Sequence, residues 1–456
     1  MLKNLILSNF KSWQELEIDF APITLLYGTN SSGRSSLIQF LLMLKQTKDS
    51  TDFQVAVDFG DENKLVDLGS YQDVVYQHDA NREIYWKLGW ETDRTFGVQD
   101  PAQGRTGTIY SGNEIGIEVV LHAQQQRPVI EYMGYHVGER VFYIYQKDRE
   151  QRYQLEVDDG SQFRFVRTVG RKWDLPSPNK AYSFPDKAQT YFQNSQFLGL
   201  LESLYADQFN ALLYLGPLRD DPRRQYTWSG SYPVDVGTKG EKAVEAILAA
   251  TERGEKRNLR KGKRLRPFQE TIALWLQELK LIHSFEVREV SKGSGLYRAY
   301  VKRTARSPET LITDVGFGVS QVLPVIVLLY YAPEGSTILI EQPEIHLHPA
   351  VQSGLADLFI SVAKARQLQL IVESHSEHLL SRLTRRIAER ETEYGEITPD
   401  DVAVYCAETK GGQSAIEALN VNSAGAITNW PKDFFGDQMG EVFAREEAAL
   451  LRKANS

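Results

Sequence analysis

One stretch limits what this chain can fold into more than any other: Gly28-Thr29-Asn30-Ser31-Ser32-Gly33-Arg34-Ser35-Ser36, between the apolar run Ile23–Tyr27 and a periodic run at Ser35–Gln46. The first run reads as a buried strand. The second, with Leu37, Ile38, Leu41, Leu42 and Leu44 on repeating faces, reads as a helix. Two glycines bracketing small polar residues allow a tight turn whose backbone N–H groups converge on an anion, and the following helix adds the positive end of its dipole. Gly28, Asn30, Ser31, Gly33, Arg34, Ser35 and Ser36 are therefore candidate polyphosphate contacts, and the Ser35 hydroxyl is a candidate Mg2+ ligand. Arg34 stands where such loops carry lysine; a flat bidentate fork replaces a compact point charge, so the exchange is not conservative. Without the lysine the pattern competes with a glycine-serine turn between core elements, and its neighbours must decide.

The second half of the chain supplies them. Ser336–Ile340 reads as a buried strand delivering Glu341-Gln342-Pro343-Glu344 at its C-terminal end. About thirty residues on, the length a βαβ crossover takes, Leu370-Ile371-Val372 forms another apolar strand ending in Glu373-Ser374-His375. A helix from about Val351, with Leu355, Leu358, Phe359 and Val362 on one face, joins them. Glu341 can hold Mg2+ through water, and His375 is placed to face a terminal phosphate.

On these residues, with Asn9-Phe10-Lys11-Ser12-Trp13 as an opening hairpin and Asp314-Val315-Gly316-Phe317-Gly318-Val319-Ser320-Gln321 as a degenerate signature, the chain resembles the prokaryotic OLD/RecF/SMC-like ABC ATPases. The resemblance implies an α/β fold: an ABC-type P-loop ATPase head with a mixed sheet, interrupted by a β-rich and helical insertion. It implies ATP and Mg2+, with Lys11 among the nucleotide contacts, Glu341 toward the metal and His375 as the switch. Gln342 falls where the family places the glutamate that polarises water; a glutamine orients water but takes no proton, which leaves Glu344 or Glu341 as base. Gln72 is aligned with the Q-loop near Mg2+. Gly316, Gly318 and Ser320 would contact nucleotide held by a second subunit, with Ser320 capping a helix from Gln321 to Tyr330, so ATP would join a homodimer or higher homo-oligomer. The rival reading of that run is a glycine loop before a core helix. Arg34 and Gln342 together predict firm binding with slow or partner-dependent hydrolysis.

OLD nucleases continue into an acidic TOPRIM domain, for which neither length nor acidic cluster is evident. The expectation is a switch for a separate effector such as a nuclease, as in phage-defence operons such as Septu. A DNA-repair ATPase of RecF type and a non-hydrolysing scaffold are the alternatives.

The remaining features bound this picture. With 456 residues and 42% hydrophobic content the chain can fill more than one lobe. The expected limits are 1–52 for the first part of the head, 53–192 for a β-rich lobe, 193–295 for a helical insertion and 296–456 for the rest of the head. Alternation at Ile84, Trp86, Leu88 and Trp90 marks antiparallel strands, and the pattern turns helical from about Gln193 to Leu281. A net charge of −8 argues against wholesale coating of nucleic acid, yet Arg253, Lys256, Arg257, Arg260, Lys261, Lys263, Arg264 and Arg266 crowd one segment, a nucleic-acid contact or a solvated helical hairpin tip. Arg219 follows the strand Leu212–Leu215 as a candidate phosphate or partner contact; Arg223 and Arg224 lie beside it in a proline-broken loop. His346, His348, His375 and His378 invite zinc, but loop and helix-face roles account for them better. Cys406, the single cysteine, falls in an apolar strand as a buried thiol. The N-terminus lacks a signal-peptide layout and no run reaches membrane-spanning length, so a soluble, cytoplasmic protein is expected. Trp430, Phe434 and Phe435 cover the core or dock a partner.

Overall fold

The computed structural model describes residues 1–52, 55–100, 107–148, 152–158, 163–168 and 173–431. It begins with β1 (Leu2–Phe10), β2 (Trp13–Asp19), β3 (Ile23–Gly28) and α1 (Arg34–Asp49). The short helix α2 (Tyr71–Val74) precedes the strands β4 (Ile84–Gln99), β5 (Thr108–Gln124), β6 (Arg127–Val137), β7 (Arg140–Asp148) and β8 (Arg152–Asp158). Helices α3 (Lys187–Tyr191) and α4 (Phe197–Asn210) lead into β9 (Leu212–Leu215). Then come β10 (Tyr226–Thr227), α5 (Ala243–Glu252), β11 (Lys256–Asn258), β12 (Leu265–Pro267) and α6 (Phe268–Glu278). Strands β13 (Ser284–Glu289), β14 (Leu296–Lys302) and β15 (Thr310–Leu311) lead to α7 (Phe317–Tyr331). Next are β16 (Thr337–Glu341), α8 (Pro349–Arg366), β17 (Gln369–Glu373) and α9 (Glu377–Glu389). The small pair β18 (Glu391–Thr392) and β19 (Gly395–Glu396) precedes β20 (Val402–Lys410) and β21 (Gln413–Leu419).

A mixed sheet in the order β21-β20-β3-β17-β16-β9 forms the centre; all its pairings are parallel except β20 with β21. Every residue of β16 and β17 is buried, as a parallel sheet covered on both faces requires. Alternate side chains serve the two faces. Leu25, Ile338, Ile340, Leu370 and Val372 join the core built on α5 to α9, and Leu26, Leu339 and Ile371 join the core containing α1. α1 is apolar on most of its circumference because it is sandwiched: Phe40 packs edge-on against Phe10 and Trp86, 5.3 and 5.7 Å between ring centroids.

Phe10 and Trp86 belong to the second sheet, antiparallel, in the order β2-β1-β4-β5-β6-β7-β8. The strands read as a separate β-rich lobe thus continue the opening hairpin, β4 pairing directly with β1. Nor is the interval 193–295 wholly helical. It holds β9, an edge strand of the central sheet with Leu213 opposite Ile338, and the hairpin β11–β12 where a helical tip was expected. The apolar run Leu212–Leu215 is the strand expected there, and its pairing with β16 places it in the central sheet.

Register sets the site. Glu341 stands opposite Glu373, and Glu373 opposite Leu26, two residues before Gly28. The carboxyl ends of β16, β17 and β3 therefore bring two carboxylates and the glycine loop to one crest, where parallel α/β sheets bind ligands.

Candidate functional site

The loop after β3 is held by close approach. A Cβ on Gly28 (φ 142°) would lie 2.1 Å from the Ala407 carbonyl oxygen, and one on Gly33 (φ 95°) 2.5 Å from Ser414 Oγ and 2.8 Å from Trp13 Cε2. Trp13, fully buried, donates its indole N–H to the Gly33 carbonyl at 3.0 Å and fixes the loop from the hairpin side. The Leu37 amide, bonded to Gly33 O at 3.3 Å, makes the first bond of α1; the amides of Arg34, Ser35 and Ser36 have no intrahelical acceptor. Thr29, Asn30, Ser31 and Ser35 are exposed, and Ser31 adopts a left-handed φ of 62°. Three free amides at the start of α1 thus adjoin a loop whose residues Thr29, Asn30 and Ser31 are open to solvent.

Glu373 closes it from the neighbouring strand. Ser35 Oγ donates to Glu373 Oε2 at 3.0 Å, and Glu373 Oε1 lies 3.6 Å from Arg34 Nη2. Sequence reading paired Ser35 with Glu341 and treated Glu373 only as part of the histidine segment; its place at a strand end beside the loop was the available signal. Glu341 is bonded elsewhere: Tyr214 donates its hydroxyl to Glu341 Oε1 at 2.6 Å, and Arg219 Nη2 donates to the Glu341 carbonyl at 3.2 Å. Burial, with Glu373 as a second cause, pushes the Glu341 carboxyl up to about 7, against the Tyr214 bond and the two arginines. A hydroxyl and two carboxylates within one crest form a hard-oxygen set that fits Mg2+ completed by water and phosphate.

Arg34 folds back beneath the loop, its Nη2 donating to the Thr29 carbonyl at 3.5 Å. It is 6% exposed, donates Nη1 to the Ser374 carbonyl at 3.2 Å, and holds Nη2 2.8 Å from His375 Nε2. Burial and Arg34 together lower the His375 pKa, which favours the neutral ring that accepts this bond. Gln342 turns the chain at the end of β16 with a left-handed φ of 45°, its N–H bonded to the Glu373 carbonyl at 2.8 Å. Glu344 Oε1 accepts the His375 N–H at 2.5 Å, and burial raises its carboxyl above the usual range.

The other expected contacts are placed less directly. Lys11 (φ 51°) bonds Gln39 in α1 at 2.7 Å rather than the loop. Gln72 is exposed on α2, whose Val74 carbonyl accepts the Lys11 amide at 2.6 Å; among the described residues its side chain has no hydrogen-bond partner. Ser320 is not the helix cap. Gly316 is the N-cap of α7, and Ser320, inside the first turn and buried, donates to the Phe317 carbonyl at 2.8 Å. Glycine at the cap leaves no side-chain signal, and a serine bonding backward within a helix mimics one. Gly316 has open space around it, and Phe317 is 65% exposed beside the His346 ring.

His348 accepts the Ala350 amide as N-cap of α8, and His378 lies exposed at the start of α9. Arg223 and Arg224 form exposed ion pairs with Asp220 and Asp314, both at 2.9 Å. In the basic segment Arg253 and Arg257 pair with Glu255, Arg260 with Glu278 and Glu393, and Arg266 with Glu270. Cys406 is buried in β20, its thiol pushed up to about 11 by burial. Trp430 is half exposed; Phe434 and Phe435 lie outside the described residues. Among the described residues no helix is long and apolar enough to cross a membrane.

Residues 1–88 and 242–380 match a family described as AAA ATPase domain, and residues 397–444 match a protein of unknown function, DUF3696. No curated protein matches. Among solved structures, the chain is similar to an Smc head bound to the C-winged helix domain of ScpA, at 11% identity and a TM-score of 0.44 over 93% of this chain and 98% of that one. It is also similar to the SMC head domain from Thermotoga maritima, at 13% identity and 0.42 over 92% and 99%. A third is the Smc head with an extended coiled coil bound to the C-terminal domain of ScpA, derived from Pyrococcus furiosus, at 10% identity and 0.42 over 92% and 96%.

Proposed function

We propose that the AAA ATPase domain carried by this chain binds Mg-ATP at the crest of the central sheet, closes into a dimer on binding, and hydrolyses slowly, as a switch for a separate effector. The observation that carries this reading is the juxtaposition of the free amides of α1 and the Ser35 hydroxyl with Glu373 and Glu341, with Gln342 next in the chain. Loop amides at Arg34 to Ser36 take the phosphates; Ser35, Glu373 and Glu341 hold Mg2+. When bound, the metal neutralises phosphate charge. Gln342 orients water through its amide, and the proton falls to Glu344, whose carboxyl burial raises above the usual range and so makes a better acceptor. Loss of a glutamate base at Gln342 is the reason for slow turnover. Exposed Gly316 and Phe317 supply the face toward nucleotide in a second copy.

A direct nucleic-acid contact is the second reading, favoured by the β11–β12 hairpin. Lys256, Lys261, Lys263 and Arg264 are exposed there, and among the described residues they have no carboxylate partner, unlike the four arginines around them.

Light-scattering mass with and without Mg-ATP tests the assignment. The native chain is expected to dimerise on addition, Glu341→Ala to stay monomeric, and Phe317→Asp to bind nucleotide without dimerising. ATP-driven dimerisation unchanged in Glu341→Ala would remove the site from this crest.

A further inference from the structure

Two arginines flank Glu341, and they are not in equivalent states. Arg34, the residue in the lysine position of the loop, has its donors committed: Glu373 at 3.6 Å, the Ser374 carbonyl at 3.2 Å, His375 at 2.8 Å and the Thr29 carbonyl at 3.5 Å surround the guanidinium. Arg219 lies on the segment after β9. Its Nη2 meets the Glu341 carbonyl at 3.2 Å, while Nε and Nη1 are buried and, among the described residues, have no hydrogen-bond acceptor. A buried cation with unused donors is costly unless an anion completes it. Arg219 also lies in the stretch 89–241 that falls between the two segments matched by the AAA ATPase domain family, so this feature is not carried by that match.

We propose that Arg219, not Arg34, supplies the cation that recognises the terminal phosphate of a bound nucleoside triphosphate. The inference rests on the nucleotide-binding reading above. Geometry favours the division: the Tyr214–Glu341 bond and the Arg219–Glu341 bond hold the two residues as one unit at the end of β9 and β16, so the guanidinium fork sits beside the acidic strand end, where the end of the phosphate chain would lie. A planar fork there takes two oxygens of one phosphate, which suits discrimination of triphosphate from diphosphate.

The test is equilibrium calorimetry of Mg-ADP and of the non-hydrolysable triphosphate adenylyl imidodiphosphate with Mg2+, on the full chain and its Arg219→Gln, Arg219→Lys and Arg34→Gln variants, each checked for a cooperative melt. Glutamine keeps a donor for the Glu341 carbonyl but removes the charge; lysine keeps the charge without the fork. The native chain is expected to prefer the triphosphate. That preference should fall about tenfold or more in Arg219→Gln with ADP affinity kept, survive in part in Arg219→Lys, and persist in Arg34→Gln. A preference unchanged in Arg219→Gln, lost in Arg34→Gln instead, or lost with equal weakening of ADP in both Arg219 variants would overturn the proposal. Failure of the native chain to bind either nucleotide would instead remove the nucleotide-binding reading itself.

Discussion

The two sheets of this molecule solve different problems. In the central sheet the strands are short, the core ones are buried on both faces, and hydrophobic side chains leave polar chemistry only at the strand ends; Glu341, Glu373 and the loop after Gly28 sit there. In the antiparallel sheet the strands reach 17 residues, and the inner half of β4 alternates buried with half-buried positions, so polar groups spread along the outer face. Its cross-strand pairs, such as His136 with Glu118 at 2.7 Å, are distributed rather than convergent. Parallel register concentrates chemistry at one edge; antiparallel alternation disperses it. The seven-stranded sheet still serves the site, because its hairpin supplies Trp13 to the loop and it encloses α1.

Stability should break first in the central sheet. Leu339→Ala, a fully buried position, is expected to cost about 2–5 kcal/mol in denaturant unfolding, whereas Lys87→Ala on the outer face of β4 should stay within about 0.5 kcal/mol. Equal costs would erase the contrast.

Glu341→Ala should weaken Mg2+-dependent nucleotide binding on the order of 100-fold, since even outer partners of a metal ligand cost about 10–100-fold. With the Glu341 carboxyl near 7, protonation competes with the metal, so native Mg2+-dependent affinity should fall as pH drops through 7. A flat profile from pH 6 to 8 contradicts the assignment.

The antiparallel side has its own buried acid, Glu202 in α4, which accepts the Phe184 amide at 2.7 Å and is pushed up to about 7 by burial. Its folded pKa lies above the unfolded value, so the native state binds more protons between roughly pH 4.5 and 7 and stability falls as pH rises through that window. Glu202→Gln should remove roughly 1–3 kcal/mol of this loss at pH 8, measured as a flatter dependence of Tm on pH. Trp13→Phe, which removes the bond to Gly33 and leaves a cavity beside the smaller ring, should cost about 1–3 kcal/mol and loosen nucleotide binding a few-fold.

What the sequence made legible was local. The strand, glycine loop and helix at Ile23 to Asp49, and the strands ending in Glu341 and Glu373, follow from contiguous apolar runs and the turn residues between them. What stayed hidden depends on register between distant segments: Ser35 meets Glu373 across 338 positions, and Tyr214 meets Glu341 across 127. No spacing rule within a single chain encodes such partners. The start of α7 was misplaced by four residues because its cap is a glycine, whereas β9 was legible as a four-residue apolar strand, although its pairing with β16 was not.

The central claim is that this crest binds nucleotide and that Gln342 holds turnover down. Phosphate release from saturating Mg-ATP, native chain beside Gln342→Glu, tests it most directly. The account predicts slow release by the native protein and a rise on the order of tenfold or more with glutamate restored. Fast native release that Gln342→Glu leaves unchanged would contradict it.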